Sequence, residues 1–418
     1  MNKDNITSAA LRIDGERLVA RLAELAAIGA IENGGCCRLA LTDDDRRGRD
    51  LVVGWMRALG LEVSVDPIGN VFGRRAGSAA DAQPVMTGSH IDTVRTGGRY
   101  DGNLGVLGGL EVIATLNDAG ITTRRPLVVA FFTDEEGARF APDMLGALVH
   151  VGGLALDEAL ATVAIDGKVL GDELALIGYA GTASLGEPRA HAFVELHIEQ
   201  GPVLDIEGLT IGAVESVQGI SWQEIEIVGQ SNHAGTTPMR LRHDAGYCAA
   251  AIAHFVHSLA REMQGDQVAT VGKIDLFPNL INVIAARATL TVDLRNTDEQ
   301  LLLAAEARLA AFLLQLASDE GVKISTRKLA RFEPVGFDQG VVRTIEEVAA
   351  RLGYSQRRMT SGAGHDAQML ARVCPTAMIF VPSIKGISHN PAENTAAADL
   401  DAGANVLLQT MLELASGE

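Results

Sequence analysis

Four short apolar runs, each stopping at a histidine or carboxylate beside glycine or proline, restrict this chain to folds built on a buried sheet. Residues 84–87 lead to His90, and residues 126–132 lead to Thr133-Asp134-Glu135-Glu136-Gly137. Residues 193–198 carry His197 into Glu199-Gln200-Gly201-Pro202, and residues 377–382 precede Ser388-His389-Asn390-Pro391. Continuous apolar runs of strand length are the pattern of strands covered on both faces. In open α/β sheets, ligands bind outside the carboxyl ends of the strands. One such end reads equally well as a capped glycine turn or an acidic loop; four of them point to a single site.

The first of these ends is the densest. Gly88-Ser89-His90-Ile91-Asp92-Thr93 is followed by Tyr100-Asp101-Gly102-Asn103-Leu104-Gly105, which sets imidazole and carboxylate donors on a tight backbone. Asp92 is placed to accept the second N–H of His90 through its carboxylate and so fix the tautomer. Asp101 is expected at the positive start of a helix.

A 418-residue chain is long for one core and predicts two domains. The formal net charge of −18 disfavours nucleic acid and anionic membrane as partners. Four cysteines, Cys36, Cys37, Cys248 and Cys374, follow no metal spacing or disulfide framework, so a reducing cytoplasm is expected. Neither an export signal at Met1-Asn2-Lys3-Asp4-Asn5 nor a run of about 18 apolar residues is read from the sequence.

Helical spacing predicts helices over residues 9–25 and 43–59, the second with a solvated face at Asp43-Asp44-Asp45-Arg46-Arg47. A strand is expected at 61–65 and a turn plus strand over 69–73. Between His197 and His389 the pattern changes to strand 220–228, helix 244–263, strands 268–277 and 286–294, helix 298–318 and strand 322–329. That β-α-β-β-α-β order is the split ferredoxin-like arrangement. The expected fold is therefore α/β: a catalytic domain with a mixed sheet flanked by helices, residues 1–213 and 328–418. Residues 214–327 are expected to form an inserted ferredoxin-like α+β domain. A helix at 341–352, a glycine-rich loop at 361–366 and an amphipathic helix beyond residue 399 complete the chain.

His90, Asp101, Glu136, His197 and His389 supply the mixed imidazole and carboxylate donors that two metals about 3.5–4 Å apart require, with Asp101 as the bridge. Such a pair activates water and polarises a carbonyl. A carboxylate off the metal then moves the proton to a leaving nitrogen. Glu135 is placed for that role, although the residues alone allow Glu135 and Glu136 to exchange parts.

Those motifs, with Glu195-Leu196-His197-Ile198-Glu199-Gln200-Gly201, resemble the M20 metallopeptidase superfamily. The closer resemblance is to its amidase branch of N-carbamoyl-L-amino-acid hydrolases, β-ureidopropionases and allantoate amidohydrolases. The resemblance implies one metal on His90, Asp101 and His197 and another on Asp101, Glu136 and His389. It implies Glu135 as base and later acid, with Asp92 behind His90. The ions are expected to be zinc, with manganese, cobalt or nickel as alternatives. In Gly229-Gln230-Ser231-Asn232-His233-Ala234-Gly235, the resemblance implies that His233 stabilises the oxyanion in a neighbouring subunit, hence a homodimer with the inserted ferredoxin-like α+β domain, 214–327, as lid and dimerisation domain. Asn282 and Arg295 resemble the substrate-binding pair, a guanidinium being suited to a carboxylate. Gln200 and His365 are candidates for the pocket wall, whereas His254 and His257 are read as surface or dimer contacts. The branch commonly has Gly-Ser-Arg-Phe after the paired glutamates; this chain has Gly137-Ala138-Arg139-Phe140. The expected activity is hydrolysis of the ureido C–N bond of an N-carbamoyl-L-amino acid. Allantoate and 3-ureidopropionate are alternative substrates; a peptidase, an aminoacylase or a non-catalytic binder is a further alternative.

Overall fold

The computed structural model describes residues 10–416. The reading of Met1-Asn2-Lys3-Asp4-Asn5 and the expected helix start at residue 9 lie outside them. The chain divides into two compact units: the first runs to Glu215 and resumes at Gly336, and the second is Ser216–Val335.

The first unit opens with α1 (Gly15–Ala26), α2 (Asp43–Ala58) and strands β1 (Glu62–Val65), β2 (Val71–Arg75) and β3 (Val85–His90). Helix α3 (Asn103–Asp118) leads to β4 (Leu127–Phe132), then to short helices α4 (Leu145–His150), α5 (Leu156–Leu160) and α6 (Leu170–Leu176). Strand β5 (Ala192–Ile198), α7 (Val203–Glu207) and β6 (Ile211–Val217) follow. The second unit contains β7 (Gly219–Val228), α8 (Ala245–Met263), β8 (Val268–Phe277), β9 (Arg287–Asn296), α9 (Glu299–Glu320) and β10 (Lys323–Phe332). The remaining elements are β11 (Val335–Gly336), α10 (Gln339–Arg351), β12 (Gln356–Ser361), α11 (Asp366–Leu370), β13 (Thr376–Val381) and α12 (Ala397–Ser416).

The larger sheet has the order β1-β2-β4-β3-β5-β13-β6-β11, with β12 beside β6. Its centre, β4-β3-β5-β13, is parallel and every residue of those four strands is buried. The α/β reading with a mixed sheet flanked by helices holds. Parallel strands deliver all four apolar runs to one edge, which is why their terminal residues can meet.

The second unit has the order β10-β7-β9-β8, antiparallel throughout. Helices α8 and α9 bury Ile252, Val256, Leu259, Leu302, Leu309 and Leu313 with the inward residues of this sheet, including Leu290, Val292 and Leu294. By length and composition α9 is apolar enough to cross a membrane; here its apolar stripe packs into that core. The expected insert, 214–327, differs from the second unit at both ends. Residue 214 lies inside β6, and β10 extends to Phe332.

Two local readings change. The charged run in α2 is not wholly solvated: Asp45 and Arg49 are fully buried, paired at 2.8 Å. Arg49 also donates to Gly69 O and Thr133 Oγ1, which ties α2 to the end of β4. Helix α12 is buried along most of its length rather than on one face, with Asn405, Gln409 and Thr410 among its buried residues. Asn405 accepts from Ile13 N and Gln409 donates to Leu11 O, so these polar groups tie α12 to the segment before α1.

His150 closes α4 with its ring against Phe72, centroids 5.2 Å apart, and at 6% exposure. Burial lowers its pKa from 6.5 to about 4. Above pH 6.5 the ring is neutral in both states and stability is full. As pH falls from 6.5 toward about 4, the unfolded chain takes a proton that the folded ring refuses, at a cost reaching about 3 kcal/mol. Urea midpoints at pH 7 and pH 5 should therefore fall more for the native chain than for His150→Phe. Equal losses in both would remove His150 as a cause.

Candidate metal centre

His90 is the last residue of β3 and pairs in register with Phe132 of β4. His197 is the penultimate residue of β5 and pairs with Phe380 of β13. Beyond β4 the acidic triplet is pinned from both sides. Thr133 N donates to Asn70 Oδ1 at 3.0 Å, and the amides of Met144, Leu145 and Gly146 donate to Glu135 O, Asp134 O and Thr133 O at 2.6, 3.1 and 2.8 Å. Asp134 turns the chain with φ of 56°. Asp101 precedes α3 through Gly102, whose φ is 64°. A Cβ on Gly102 would overlap the His90 ring, so this glycine serves both the turn and the close approach.

These elements gather one cluster around Asp101. Its Oδ1 lies 3.5 Å from His90 Nε2 and 3.3 Å from His197 Nε2, while Oδ2 lies 3.4 Å from His389 Nε2. His389 Nε2 is 3.3 Å from Glu136 Oε2, and His90 Nε2 is 3.4 Å from Glu135 Oε2. Two donor sets result, His90-Asp101-His197 and Asp101-Glu136-His389, each with its ligand atoms within 4.8 Å of one another. Glu136 rather than Glu135 belongs to the second set, which separates two residues that the sequence left interchangeable.

The donor chemistry fits divalent ions. His90 Nδ1–H donates to Asp92 O and His197 Nδ1–H to Ile198 O, both at 2.9 Å, which turns each Nε2 toward the cluster, where His197 Nε2 also accepts the Gly102 amide at 3.1 Å. Imidazole and carboxylate donors without thiolate suit zinc, manganese, cobalt and nickel alike. A further grouping, Glu195-His197-His365, is already engaged. Glu195 accepts from Ser89 Oγ and Ala367 N, and His365 Nε2 meets Ser361 Oγ at 2.9 Å.

Without ions the charges divide as proximity dictates. Burial opposes both shifts at the centre, yet Glu135, Asp101, Asp92 and Glu136 together raise His90 well above 6.5. Hydrogen bonds from His197, His389 and His90 hold Asp101 well below the carboxylate range. The bond to Asp101 first, then Glu136, pushes His389 to about 9. Burial raises Glu135 well above its usual value and Glu136 to about 8. Metal binding must displace such protons.

The remaining expected site residues are placed as follows. Asp92 does not meet His90 through its carboxylate, which lies 3.9 Å from Nδ1; its backbone carbonyl takes that bond. The carboxylate instead accepts the amides of Glu135 and Glu136 at 3.3 and 3.4 Å, since the β3 and β4 ends lie side by side. Gln200 donates to Asp101 Oδ2 at 2.8 Å. His365 is buried edge-on behind His197, centroids 4.6 Å apart.

His233, Asn282 and Arg295 belong to the second unit. His233 Nδ1 accepts the amides of Gly235 and Thr236, so its proton sits on Nε2 of an exposed ring. Ala234 N donates to Asn282 O, which sets Asn282 beside His233. Arg295 pairs with Asp293 at 2.9 Å, with Trp222 under its guanidinium at 5.9 Å. Sequence reasoning missed Glu393 and Glu195 as site supports. Glu195 lies two residues before His197 on the same strand face, which is the signal available for it, whereas Glu393 follows His389 in an irregular loop whose spacing gives none.

Comparison with known proteins places these features in context. The sequence pattern of peptidase family M20/M25/M40 matches residues 86–413. The chain is 43% identical over 404 residues to an N-carbamoyl-L-amino-acid amidohydrolase of Rhizobium meliloti, covering 97% of each. It is 36% identical to an allantoate amidohydrolase of Escherichia coli, covering 94% of this chain and 96% of that one. A crystal structure of a hydantoinase/carbamoylase family amidase from Burkholderia multivorans superposes with a TM-score of 0.94 at 48% identity, covering 98% of this chain and 99% of the other.

Gly102→Ala should weaken divalent-ion binding at least about tenfold, measured by competition with a chromophoric chelator. Wild-type affinity in the folded variant would show that His90 need not lie where the turn puts it.

Proposed function

The chain belongs to peptidase family M20/M25/M40 and is a hydrolase of C–N bonds in non-peptide amides; from that premise we propose that it cleaves the ureido C–N bond of N-carbamoyl-L-amino acids. The products are the amino acid, ammonia and carbon dioxide. The observation that carries this reading is one carboxylate, Asp101, shared by two donor sets, with Glu135 buried beside His90 and outside both.

Divalent ions on His90, Asp101 and His197 and on Asp101, Glu136 and His389 would supply Lewis acidity and ease the ionisation of water. Zinc is the first choice, with manganese, cobalt and nickel as alternatives. Glu135, whose carboxyl burial holds above its usual range, takes a proton from water and returns it to the departing nitrogen. Asp92 holds the backbone of both glutamates. His233, supplied from the partner in a cytoplasmic homodimer, holds the oxyanion with a hydrogen bond from its Nε2–H. Arg295 and Asn282 bind the substrate carboxylate, and Gln200 and His365 form the pocket wall.

Allantoate is a second reading, favoured by the relative named allantoate amidohydrolase; 3-ureidopropionate requires the same chemistry. A pure binder has no use for a base buried against the donors.

Ammonia release measured over N-carbamoyl-L-amino acids, allantoate and 3-ureidopropionate should give the highest kcat/KM with a carbamoyl amino acid, and only with divalent metal present. Metal-independent turnover would end the mechanism, and preference for allantoate would end the substrate assignment. Glu135→Gln should lower kcat by about 10²–10⁴-fold while leaving metal binding near that of the native chain.

A further inference from the structure

Glu393 lies in the loop that follows the fourth ligand strand and is 4% exposed. It belongs to neither donor set. Its Oε1 accepts the backbone N–H of Tyr100 at 3.0 Å and of Asp101 at 3.3 Å. Its Oε2 accepts from Ser388 Oγ at 3.0 Å, and the same hydroxyl lies 3.1 Å from Asp101 Oδ2. A Cβ on Gly98 would collide with the Glu393 carboxylate, so the 98–101 loop is drawn against this side chain as closely as glycine permits.

We infer that Glu393 is the positioning residue for Asp101: it grips the backbone of that residue directly and shares the Ser388 hydroxyl with its carboxylate. Asp101 must aim Oδ1 at His90 and His197 and Oδ2 at His389, so the plane of one carboxylate sets both donor sets. Glu393 also joins the 98–101 loop to the loop carrying His389, which keeps the two halves of the second set in register. Losing this grip leaves two buried amides without their acceptor and the Ser388 hydroxyl with Asp101 alone. It also frees Asp101 to turn. Outer hydrogen-bond partners of this kind typically govern metal affinity by about 10–100-fold.

The inference rests on Asp101 being the ligand common to both sets, and the experiment separates the two. Metal-free native chain, Glu393→Ala, Glu393→Asp, Glu393→Gln and Asp101→Asn are titrated with Zn²⁺ against a chromophoric chelator, and urea midpoints of the metal-free proteins are recorded. Glu393→Ala and Glu393→Asp should bind every ion about 10–100-fold more weakly. Glu393→Gln keeps an oxygen for the two amides and offers an N–H to Ser388 Oγ, so it should stay within about threefold of the native chain. Native affinity in folded Glu393→Ala or Glu393→Asp, or weakening confined to one ion, overturns the inference. So does a fall in Glu393→Gln as large as in Glu393→Asp. If Glu393→Ala does not fold, the aspartate and glutamine variants decide. Native binding by Asp101→Asn instead defeats the shared-ligand reading itself.

Discussion

A single buried carboxylate faced by three imidazoles is the interaction on which the centre depends. Asp101 is 3% exposed, with Nε2 atoms of His90, His197 and His389 at 3.3–3.5 Å. Burying a charge costs several kcal/mol unless partners compensate it, and the cluster holds further carboxylates in Glu135 and Glu136. The fold carries that cost because its parallel strands and their loops converge from different parts of the chain. Backbone contacts orient His90, His197, Asp101 and Glu136: carbonyls take the Nδ1 protons of the two histidines, and the amides of Asp101 and Glu136 are held by Glu393 and Asp92.

Buried cations brace this arrangement from behind. Arg38, fully buried, donates to Ile91 O at 2.7 Å and Asn103 Oδ1 at 2.8 Å, joining the segment after His90 to the start of α3 after Asp101. Its other donors reach Leu25 O and Ile28 O at the end of α1. Arg49 does the same for the end of β4 through Thr133. Arg38 serves mostly backbone carbonyls, so its multiple N–H groups matter more than its charge, whereas Arg49 divides its donors among the Asp45 carboxylate, Gly69 O and Thr133 Oγ1.

The second unit is organised by a different rule. Along its antiparallel strand β9, Ala288, Leu290, Val292 and Leu294 are buried in the core, and the residues between them, Asp293 and Arg295 included, fall on the opposite face. The strand period therefore sorts packing residues from polar ones. His233 and Asn282 lie outside that pattern, on loops joined by backbone hydrogen bonds.

The ligand-bearing strand ends were legible in the sequence because an apolar run and the residue that stops it are local features. So was the β-α-β-β-α-β order, through its periodicities. The buried Asp45–Arg49 pair was not, since helix spacing gives the same pattern for a solvated ion pair. Nor was the placement of Glu135 against His90 and of Glu136 against His389, since the two glutamates differ by one position in chain order and are told apart only by where the histidines arrive. Asp92 shows the same limit: its place beside His90 was readable, but its carboxylate turns to amides on a neighbouring strand end. Glu393 reaches Asp101 N across 292 positions. The sequence by itself determined which side chains stand at the strand ends, because local pattern sets strand and turn. Tertiary structure alone decided which atoms face one another, because hydrogen-bond partners follow from long-range packing.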